Sequence, residues 1–239
     1  MDVGPAHPGR EATVAVLART KLFGGLDEAA LERLADAAVQ RDLRRGEVVF
    51  SQGDEGSALY VVVSGRLKLA VTTQHGSTIV LTTLAHPDTF GELAVVDRRP
   101  RSATVVALEP SVLLAVGRPT VLSLLSDSAA VSEALLRGIG ATVRRLTEQA
   151  ADLALLDLTA RVAKLLVTLA DQHDVPEAAG ADAVVELSLT QTDMAHMVGG
   201  TRQSVNQILA GFAARGLIEV RGRTVVLRRL AEMKRRAGL

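Results

Sequence analysis

The chain has 239 residues, of which 48% are apolar and 23% are charged, and its formal net charge is zero. That length suits one large domain or two ordinary ones, and the neutral balance means that any affinity for nucleic acid must come from local clusters of basic residues. The lack of cysteine excludes disulfides, thiolate zinc sites and iron–sulfur clusters, and an aromatic content of 2% argues against a stacking platform for single strands.

The chain is predicted to begin with a flexible tail over residues 1–15, because its start is rich in glycine and proline. This N-terminus lacks a signal-peptide pattern, and no apolar run in the chain approaches the length of a membrane span. We therefore expect a cytoplasmic protein that has no membrane partner. Helical patterns follow over Leu17–Phe23 and Asp27–Ala38.

Between Arg41 and Val116 the pattern changes to short β-type runs separated by glycines. The runs are residues 47–51, 58–63, 67–72, 78–84, 103–108 and 112–116. Evenly spaced short strands predict a small barrel or jelly roll and not a parallel sheet with crossover helices. We assign residues 16–126 to this domain.

After Pro119 the apolar period becomes helical and stays helical to about Leu156. Alternating steps of three and four residues, as in the seam of a coiled coil, connect Leu135, Ile139, Thr142, Leu146, Gln149, Leu153 and Leu156. A helix that packs only on its own β domain is the alternative. We predict a long helix over residues 127–156 that pairs with the same helix of a second copy.

Residues 157–239 are predicted to form a second domain, which opens with an amphipathic helix that Asp157 is placed to cap. A polar loop at residues 173–183 leads to a strand-like run at residues 184–189. Two further strand-like runs, at residues 217–220 and 224–227, predict a two-stranded wing near the end of the chain.

Between these strands lies a pattern typical of two helices joined by a tight turn. Thr190 with Asp193 three residues later is an N-terminal capping signal, and the helix that follows is predicted to stop at Gly199 and Gly200. Thr201 then caps a second helix. A helix, a tight glycine turn and a helix are the signature of a helix-turn-helix motif.

The second helix of this motif is predicted to expose polar side chains near its start, where recognition helices meet base edges. Arg202 offers a fork that suits guanine, and glutamine prefers the adenine edge. Residues 201–239 hold nine basic and two acidic residues, an electrostatic footprint of phosphate contact whose alternative is a solvated helical face. The predicted DNA-binding residues are Thr190, Thr201, Arg202, Gln203, Ser204, Asn206, Gln207, Arg221 and Arg223.

The segment Phe90–Leu108, FGELAVVDRRPRSATVVAL, combines groups that suit a phosphate and a sugar, on two strand-like runs that flank a turn. Gly91 lets backbone amides approach a ligand, and Arg101 offers a planar fork of donors for a phosphate. Glu92 only accepts hydrogen bonds, which suits a ribose hydroxyl. The alternative is a surface hairpin in which Arg101 and Glu92 form an ordinary ion pair.

This segment resembles the phosphate-binding cassette of cyclic-nucleotide-binding domains, whose pattern is F-G-E-[LM]-A followed several residues later by P-R-[SA]-A. The matching residues are Phe90, Gly91, Glu92, Leu93, Ala94, Pro100, Arg101, Ser102 and Ala103. The resemblance implies that Arg101 and Ser102 hold the cyclic phosphate and that Glu92 holds the ribose 2′-hydroxyl. The predicted ligand-binding residues are Gly91, Glu92, Leu93, Arg101, Ser102, Ala103 and Thr147.

The C-terminal segment, TQTDMAHMVGGTRQSVNQILAGFAARGLIEVRGRTVVL, is similar to the winged helix-turn-helix of the Crp/Fnr family. The resemblance implies an α+β chain with an N-terminal cyclic-nucleotide-binding β-roll (jelly roll), a long dimerisation helix and a C-terminal winged helix-turn-helix. It implies a homodimeric transcription regulator that binds double-stranded DNA at a palindromic operator under the control of cAMP as allosteric ligand. RNA polymerase is a further expected partner, and no metal is expected.

Two departures from the family's pattern bear on specificity. In cAMP-dependent members a Thr-Ser pair on the dimerisation helix reaches adenine, whereas this chain has Leu146 and Thr147 there. Because Leu146 cannot donate a hydrogen bond, cGMP stays open as the ligand. The family's DNA-reading pattern has Glu and Arg where this chain has Gln203 and Gln207, so the operator is expected to differ as well.

The alternatives to this function have weaker support in the sequence. A haem sensor would need ligands such as His75 and His86, which lie in loops, and a regulator that needs no ligand is a second alternative. A cyclic-nucleotide-binding regulatory subunit of a kinase or channel is a different class, and the helix-turn-helix counts against it. An enzyme is not predicted, because no nucleophile–base pair, P-loop or metal-ligand spacing appears.

Overall fold

The computed structural model describes residues 9–74, 76–171, 183–186, 190–221 and 224–239. The chain divides into two compact units, Met1–Arg144 and Arg145–Leu239. The helices among the described residues are α1 (Arg10–Arg19), α2 (Glu28–Ala37), α3 (Glu92–Asp97), α4 (Arg118–Asp127), α5 (Ala129–Leu155), α6 (Leu158–Asp171), α7 (Gln191–Val198), α8 (Arg202–Ala214) and α9 (Leu230–Arg236). The strands are β1 (Ala38–Leu43), β2 (Val48–Phe50), β3 (Ala58–Ser64), β4 (Arg66–Thr72), β5 (Thr78–Ala85), β6 (Thr89–Phe90), β7 (Thr104–Ala107), β8 (Ser111–Gly117), β9 (Ala183–Glu186), β10 (Ile218–Arg221) and β11 (Thr224–Leu227).

The first unit is a β-roll of two four-stranded antiparallel sheets, in the orders β1-β8-β3-β6 and β2-β7-β4-β5. Side chains alternate across each strand, so neighbouring residues of β8 serve different cores. Leu113 packs between the sheets with Val62 and Phe90, whereas Leu114 packs toward the helices with Leu17. The predicted α+β class with an N-terminal β-roll and a long helix is confirmed.

The sequence prediction was wrong about parts of the N-terminal half. Residues 10–15 were assigned to a flexible tail and the first helix to Leu17–Phe23, but α1 begins at Arg10 and ends at Arg19. Arg10 holds this helix on α2, since its Nε lies 2.7 Å from Oδ1 of Asp36. The strand β1 was not predicted. The first strand-like run of the cassette is only the two-residue strand β6, and the helix α3 follows it where a turn was expected.

The second unit contains the end of α5, the helices α6 to α9 and an antiparallel sheet in the order β10-β11-β9. Its core forms where the apolar stripe of α6, with Val162, Leu166 and Ala170, meets Phe212 of α8 and Met233 of α9. The predicted cap at Asp157 is present, because its Oδ1 accepts a hydrogen bond from the Ala160 amide at 2.7 Å.

Some predictions stay predictions. The domain limits at residues 15, 126 and 156 are not settled by the fold, although α4 ends at Asp127 and α5 begins at Ala129. The predicted loop at residues 173–183 lies outside the described residues apart from Ala183, and so do residues 187–189 of the predicted strand. Across the described residues, no helix is both long and apolar enough to cross a membrane.

Candidate functional site

The cassette in the β-roll starts at a backbone position that requires glycine. Gly91 has φ = 83°, in the left-handed region, and caps the N-terminus of the short helix α3. A Cβ at this position would lie 2.6 Å from Nη1 of Arg101, closer than real Cβ contacts allow. Gly91 therefore allows the turn and also leaves room for the arginine.

Arg101 is buried beneath this turn, with only 4% of its surface exposed. Its Nη1 donates to the carbonyl oxygen of Gly91 and its Nη2 donates to the carbonyl oxygen of Ala58, both at 2.7 Å. Its Nε is buried and has no hydrogen-bond partner among the described residues. A guanidinium has five N–H donors, so the two carbonyls leave unused donors in a buried place.

An aromatic cluster lies against the same guanidinium. Cζ of Arg101 lies 4.1 Å from the ring centroid of Phe50 and 5.7 Å from the ring centroid of Tyr60. The ring of Tyr60 stacks on that of Phe90, with 5.3 Å between their centroids. A cation over an aromatic face is stabilised when it is shielded from water. This role of Phe50 and Tyr60 was not predicted from the sequence, although the chain has only four phenylalanines and one tyrosine.

Gly56, in the loop before β3, closes the other side of the arginine. A Cβ added there would lie 2.4 Å from Cβ of Ala94 and 3.1 Å from Nε of Arg101. The loop and the helix α3 thus meet across the guanidinium with no room for a side chain. Gly56 was not among the predicted site residues, because its contacts are with residues about forty positions away.

Glu92 lies at the first turn of α3, and burial raises the pKa of its carboxyl while the charge of Arg101 acts in the opposite direction. Arg101 directs both of its η nitrogens to backbone carbonyls and not to this carboxylate. The alternative of an ordinary ion pair between the two residues is therefore not what the structure has. A hydrogen bond from the backbone amide of Glu92 itself also acts to lower the pKa of this carboxyl.

The other predicted ligand residues differ in exposure. Leu93 and Ser102 are exposed, whereas Ala103 is buried. Thr147 is exposed on α5, in the second compact unit, so its contribution to a nucleotide site stays a prediction.

The DNA-binding candidates begin with a pair of capped helices. The hydroxyl of Thr190 accepts a hydrogen bond from the Asp193 amide at 3.1 Å, and the buried Asp193 carboxylate accepts from the Thr190 amide at 3.1 Å. This reciprocal pair is a capping box, and it fixes the start of α7. The predicted capping signal is confirmed, and the Thr190 hydroxyl is already bonded to Asp193.

The turn between α7 and α8 is tight for a packing reason. Gly199 ends α7 with φ = 64°, and a Cβ on Gly200 would lie 2.8 Å from a methyl carbon of Leu158 on α6. Arg161 of α6 donates from Nε to the carbonyl oxygen of Val198 at 2.8 Å. These contacts hold the helix-turn-helix motif on α6, and Arg161 is a residue that the sequence analysis missed.

The helix α8 presents the predicted base-reading side chains to different degrees. Arg202, Gln203 and Gln207 are exposed, whereas Ser204 and Asn206 are half-buried. Oδ1 of Asn206 is buried and has no partner within the described residues. Thr201 caps α8, because its hydroxyl accepts a hydrogen bond from the Ser204 amide at 3.1 Å. The hydroxyls of Thr201 and Ser204 lie 2.8 Å apart.

The wing carries a small charged cluster. Glu219 on β10 accepts from Nε of Arg221 and from Nη2 of Arg228, each at 2.5 Å. These two hydrogen bonds lower the pKa of the Glu219 carboxyl to about 2. The predicted DNA contact Arg223 lies outside the described residues.

Haem or metal ligation gains no support from the described residues. Nδ1 of His86 lies 3.2 Å from the carbonyl oxygen of Val62, and His75 lies outside the described residues. No group of three or more histidine, aspartate or glutamate side chains that could hold a metal ion occurs in the part of the chain that the structure describes.

A β-roll with a phosphate-binding cassette, followed by a helix-turn-helix, defines a cyclic-nucleotide-binding transcription regulator. Comparison with known families agrees: the cyclic nucleotide-binding domain matches residues 40–128, and the Crp-like helix-turn-helix domain matches residues 160–236. The chain belongs to the Crp family of cyclic-nucleotide-binding transcription regulators. Its similar proteins are regulators and not enzymes.

Two curated relatives and one solved structure illustrate the likeness. The CRP-like cAMP-activated global transcriptional regulator of Mycobacterium tuberculosis is 34% identical over 93% of this chain and 98% of that protein. The cyclic AMP receptor protein of Thermus thermophilus is 30% identical over 88% of this chain and 93% of that protein. FixK2 from Bradyrhizobium japonicum has the same fold, with a TM-score of 0.74 at 18% identity over 83% of this chain and 96% of FixK2.

Proposed function

We propose that this chain is a homodimeric transcription regulator whose affinity for a palindromic operator is controlled by cAMP bound in the β-roll. The observation that carries the proposal is the buried Arg101, which has an unpartnered Nε beside the glycine turn of the cassette. A buried donor without a partner is costly, so the site is suited to an anion that supplies the missing acceptor.

In this proposal the phosphate of the ligand accepts from Arg101 and Ser102, and Glu92 accepts from the ribose 2′-hydroxyl. Glu92 is half-buried, and burial raises the pKa of its carboxyl, so a further hydrogen-bond donor would stabilise the ionised form. A ribose hydroxyl is such a donor, and it distinguishes a ribonucleotide from a deoxyribonucleotide. Gly91, Leu93 and Ala103 would form the walls of the site, and we assign Thr147 the contact with the base.

The choice of cAMP rests on the relatives, since two curated proteins that are at least 30% identical are named for cAMP. The residue before Thr147 is Leu146, whose side chain has no hydrogen-bonding group. We therefore keep cGMP as the second candidate ligand. A regulator that works without ligand is the second candidate function.

Dimerisation is assigned to α5. Its apolar side chains Leu136, Val143, Leu146 and Leu153 are 69%, 57%, 37% and 48% exposed, at helical spacings of seven, three and seven residues. Such a stripe of large apolar groups is suited to a second copy of the same helix. Leu135, which we predicted to belong to the seam, packs against the core of the β-roll instead.

DNA recognition is assigned to α8 and the wing. We propose that Arg202, Gln203 and Gln207 read base edges. The residues that we propose to contact the DNA backbone, or to orient those that do, are Thr190, Thr201, Ser204, Asn206, Arg221 and Arg223. A dimer with two such helices suits half-sites about one helical turn apart. We further propose that the protein works in the cytoplasm and contacts RNA polymerase when it is bound to DNA.

The test is calorimetric titration of the full-length protein with cAMP and with cGMP, followed by DNA selection with and without the tighter ligand. The proposal expects saturable binding of cAMP with one site per chain and an inverted-repeat operator that is bound more tightly when cAMP is present. Operator binding that is equal with and without either nucleotide would favour the ligand-independent regulator.

A further inference from the structure

We propose that Glu219 is an internal competitor of the DNA backbone, which occupies the arginines of the wing until a phosphate replaces it. This inference rests on the proposed DNA binding and concerns how tightly the wing holds DNA of any sequence. The observation behind it is the position of the carboxylate between the side chains of Arg221 and Arg228.

The geometry follows from the strand register. Glu219 and Arg221 are two residues apart on β10 and so lie on the same face of the strand. Arg228 follows β11, and its amide donates to the carbonyl oxygen of Leu217, two residues before Glu219 in the sequence. Both guanidinium groups therefore reach one carboxylate at 2.5 Å.

A carboxylate and a phosphate offer an arginine the same kind of acceptor: a negative charge with oxygens that match its fork of N–H groups. Nε of Arg221 and Nη2 of Arg228 donate to Glu219, and an N–H group that turns to a DNA phosphate must leave the carboxylate. The low pKa of Glu219, about 2, keeps this competitor charged at every pH at which DNA binding is measured.

Acidic residues are rare in the segment that contains Glu219. Residues 201–239 contain nine basic side chains but only two acidic ones, Glu219 and Glu232. Glu232 also bonds to two arginines, Arg235 and Arg236, on α9. Both acids of the segment are therefore placed against pairs of arginines, and Glu219 is the one that lies on the predicted wing.

A merely structural role is the competing explanation, in which Glu219 ties β10 to the residue after β11. The side chains of Glu219, Arg221 and Arg228 are 40%, 61% and 38% exposed, and ion pairs this exposed contribute little to stability. The two explanations differ in sign for DNA binding. Loss of a competitor strengthens binding, whereas loss of a structural tie leaves it unchanged or weakens it.

The experiment measures the affinity of full-length Glu219→Gln protein for a random-sequence duplex, with saturating cAMP, at about 50 mM and about 200 mM salt. Each phosphate contact that is gained steepens the salt dependence by about 0.9 in log–log slope, or about threefold in affinity over this range. We expect Glu219→Gln to bind the random duplex about three- to tenfold more tightly at the lower salt, with a slope steeper by about one to two.

Glu232→Gln is the matched control, because it also removes one negative charge that bonds to two arginines in the same unit. An equal gain in Glu232→Gln would mean that net charge, and not the wing, sets the affinity, and this would overturn the proposal. The double variant Glu219→Gln with Arg228→Ala should lose most of the gain.

The outcomes separate this inference from the proposed function. If the wild-type protein binds its operator and Glu219→Gln shows wild-type affinity and slope, the competitor role is refuted while DNA binding stands. If Glu219→Gln binds more weakly and also unfolds at a lower temperature, the structural tie is correct instead. A wild-type protein that binds no duplex with or without cAMP would refute both.

Discussion

Replacing Arg101 with alanine should affect stability and ligand binding at once, because the structure gives this side chain partners within the fold. Two hydrogen bonds of a charged donor, to Gly91 and Ala58, are lost together with the stacking on Phe50. Such bonds contribute about 1.5–3 kcal/mol each, and relief of a buried charge offsets part of the loss. We expect the free energy of unfolding to fall by about 2–4 kcal/mol.

The same substitution should weaken cyclic-nucleotide binding about ten- to a hundredfold, since a charge-assisted contact with the phosphate disappears. The assay is calorimetric titration with cAMP, next to denaturant unfolding of the ligand-free protein. Arg41→Ala is the control, because Arg41 also donates to two backbone carbonyls in the β-roll, those of Val49 at 2.8 Å and Val48 at 3.1 Å. Arg41→Ala should destabilise the protein but keep its affinity for cAMP.

Two results would refute this reasoning. The first is a folded Arg101→Ala protein that binds cAMP as tightly as the wild type, and the second is an equal loss of affinity in Arg41→Ala. If Arg101→Ala proves too unstable to titrate, Arg101→Lys keeps the positive charge but not the planar fork, and it should still bind cAMP more weakly than the wild type.

Three other substitutions test separate parts of the account. Glu92→Gln should raise the free energy of unfolding of the ligand-free protein at neutral pH. Burial raises the folded-state pKa of this carboxyl, so the ionised carboxylate costs stability at pH values above that pKa. The affinity of Glu92→Gln protein for cAMP should nevertheless fall, and an unchanged affinity in titration would contradict the ribose contact. Leu146→Asp should give monomers in light scattering, whereas Ala151→Asp, an exposed alanine off the predicted seam, should stay dimeric. Arg202→Ala should flatten the preference for one base pair in each half-site, a contact worth about 1–3 kcal/mol, and selection from random DNA that returns the wild-type preference at every position would show that Arg202 does not read a base.

The parts that were predictable from sequence depend on signals between near neighbours. The start of α7 is fixed by Thr190 and Asp193, three residues apart, and its end by Gly199 in a left-handed conformation. Sequence patterns identify such features because the residues that interact are adjacent along the chain. The cassette was recognised in the same way, as one short string around Gly91 and Arg101.

The parts that were not predictable depend on distant partners. The helix α1 begins in a segment with an unstructured composition, and Arg10 is held there by Asp36, 26 residues away. The environment of Arg101 is assembled from Phe50 and from the carbonyl oxygen of Ala58, which lies 43 residues away. No local pattern indicates that Arg101, the residue predicted to bind the phosphate, also forms hydrogen bonds within the β-roll. Only the fold shows this structural role of Arg101.

The central claim is that a cyclic nucleotide in the β-roll controls the affinity of the helix-turn-helix for DNA. The most direct measurement is the dissociation constant of the wild-type protein for its selected operator, determined by fluorescence anisotropy across a titration of cAMP at fixed salt. We expect operator affinity to rise with cAMP and to level off at the concentration that saturates the calorimetric site. Operator affinity that stays constant from zero to saturating cAMP would contradict the claim.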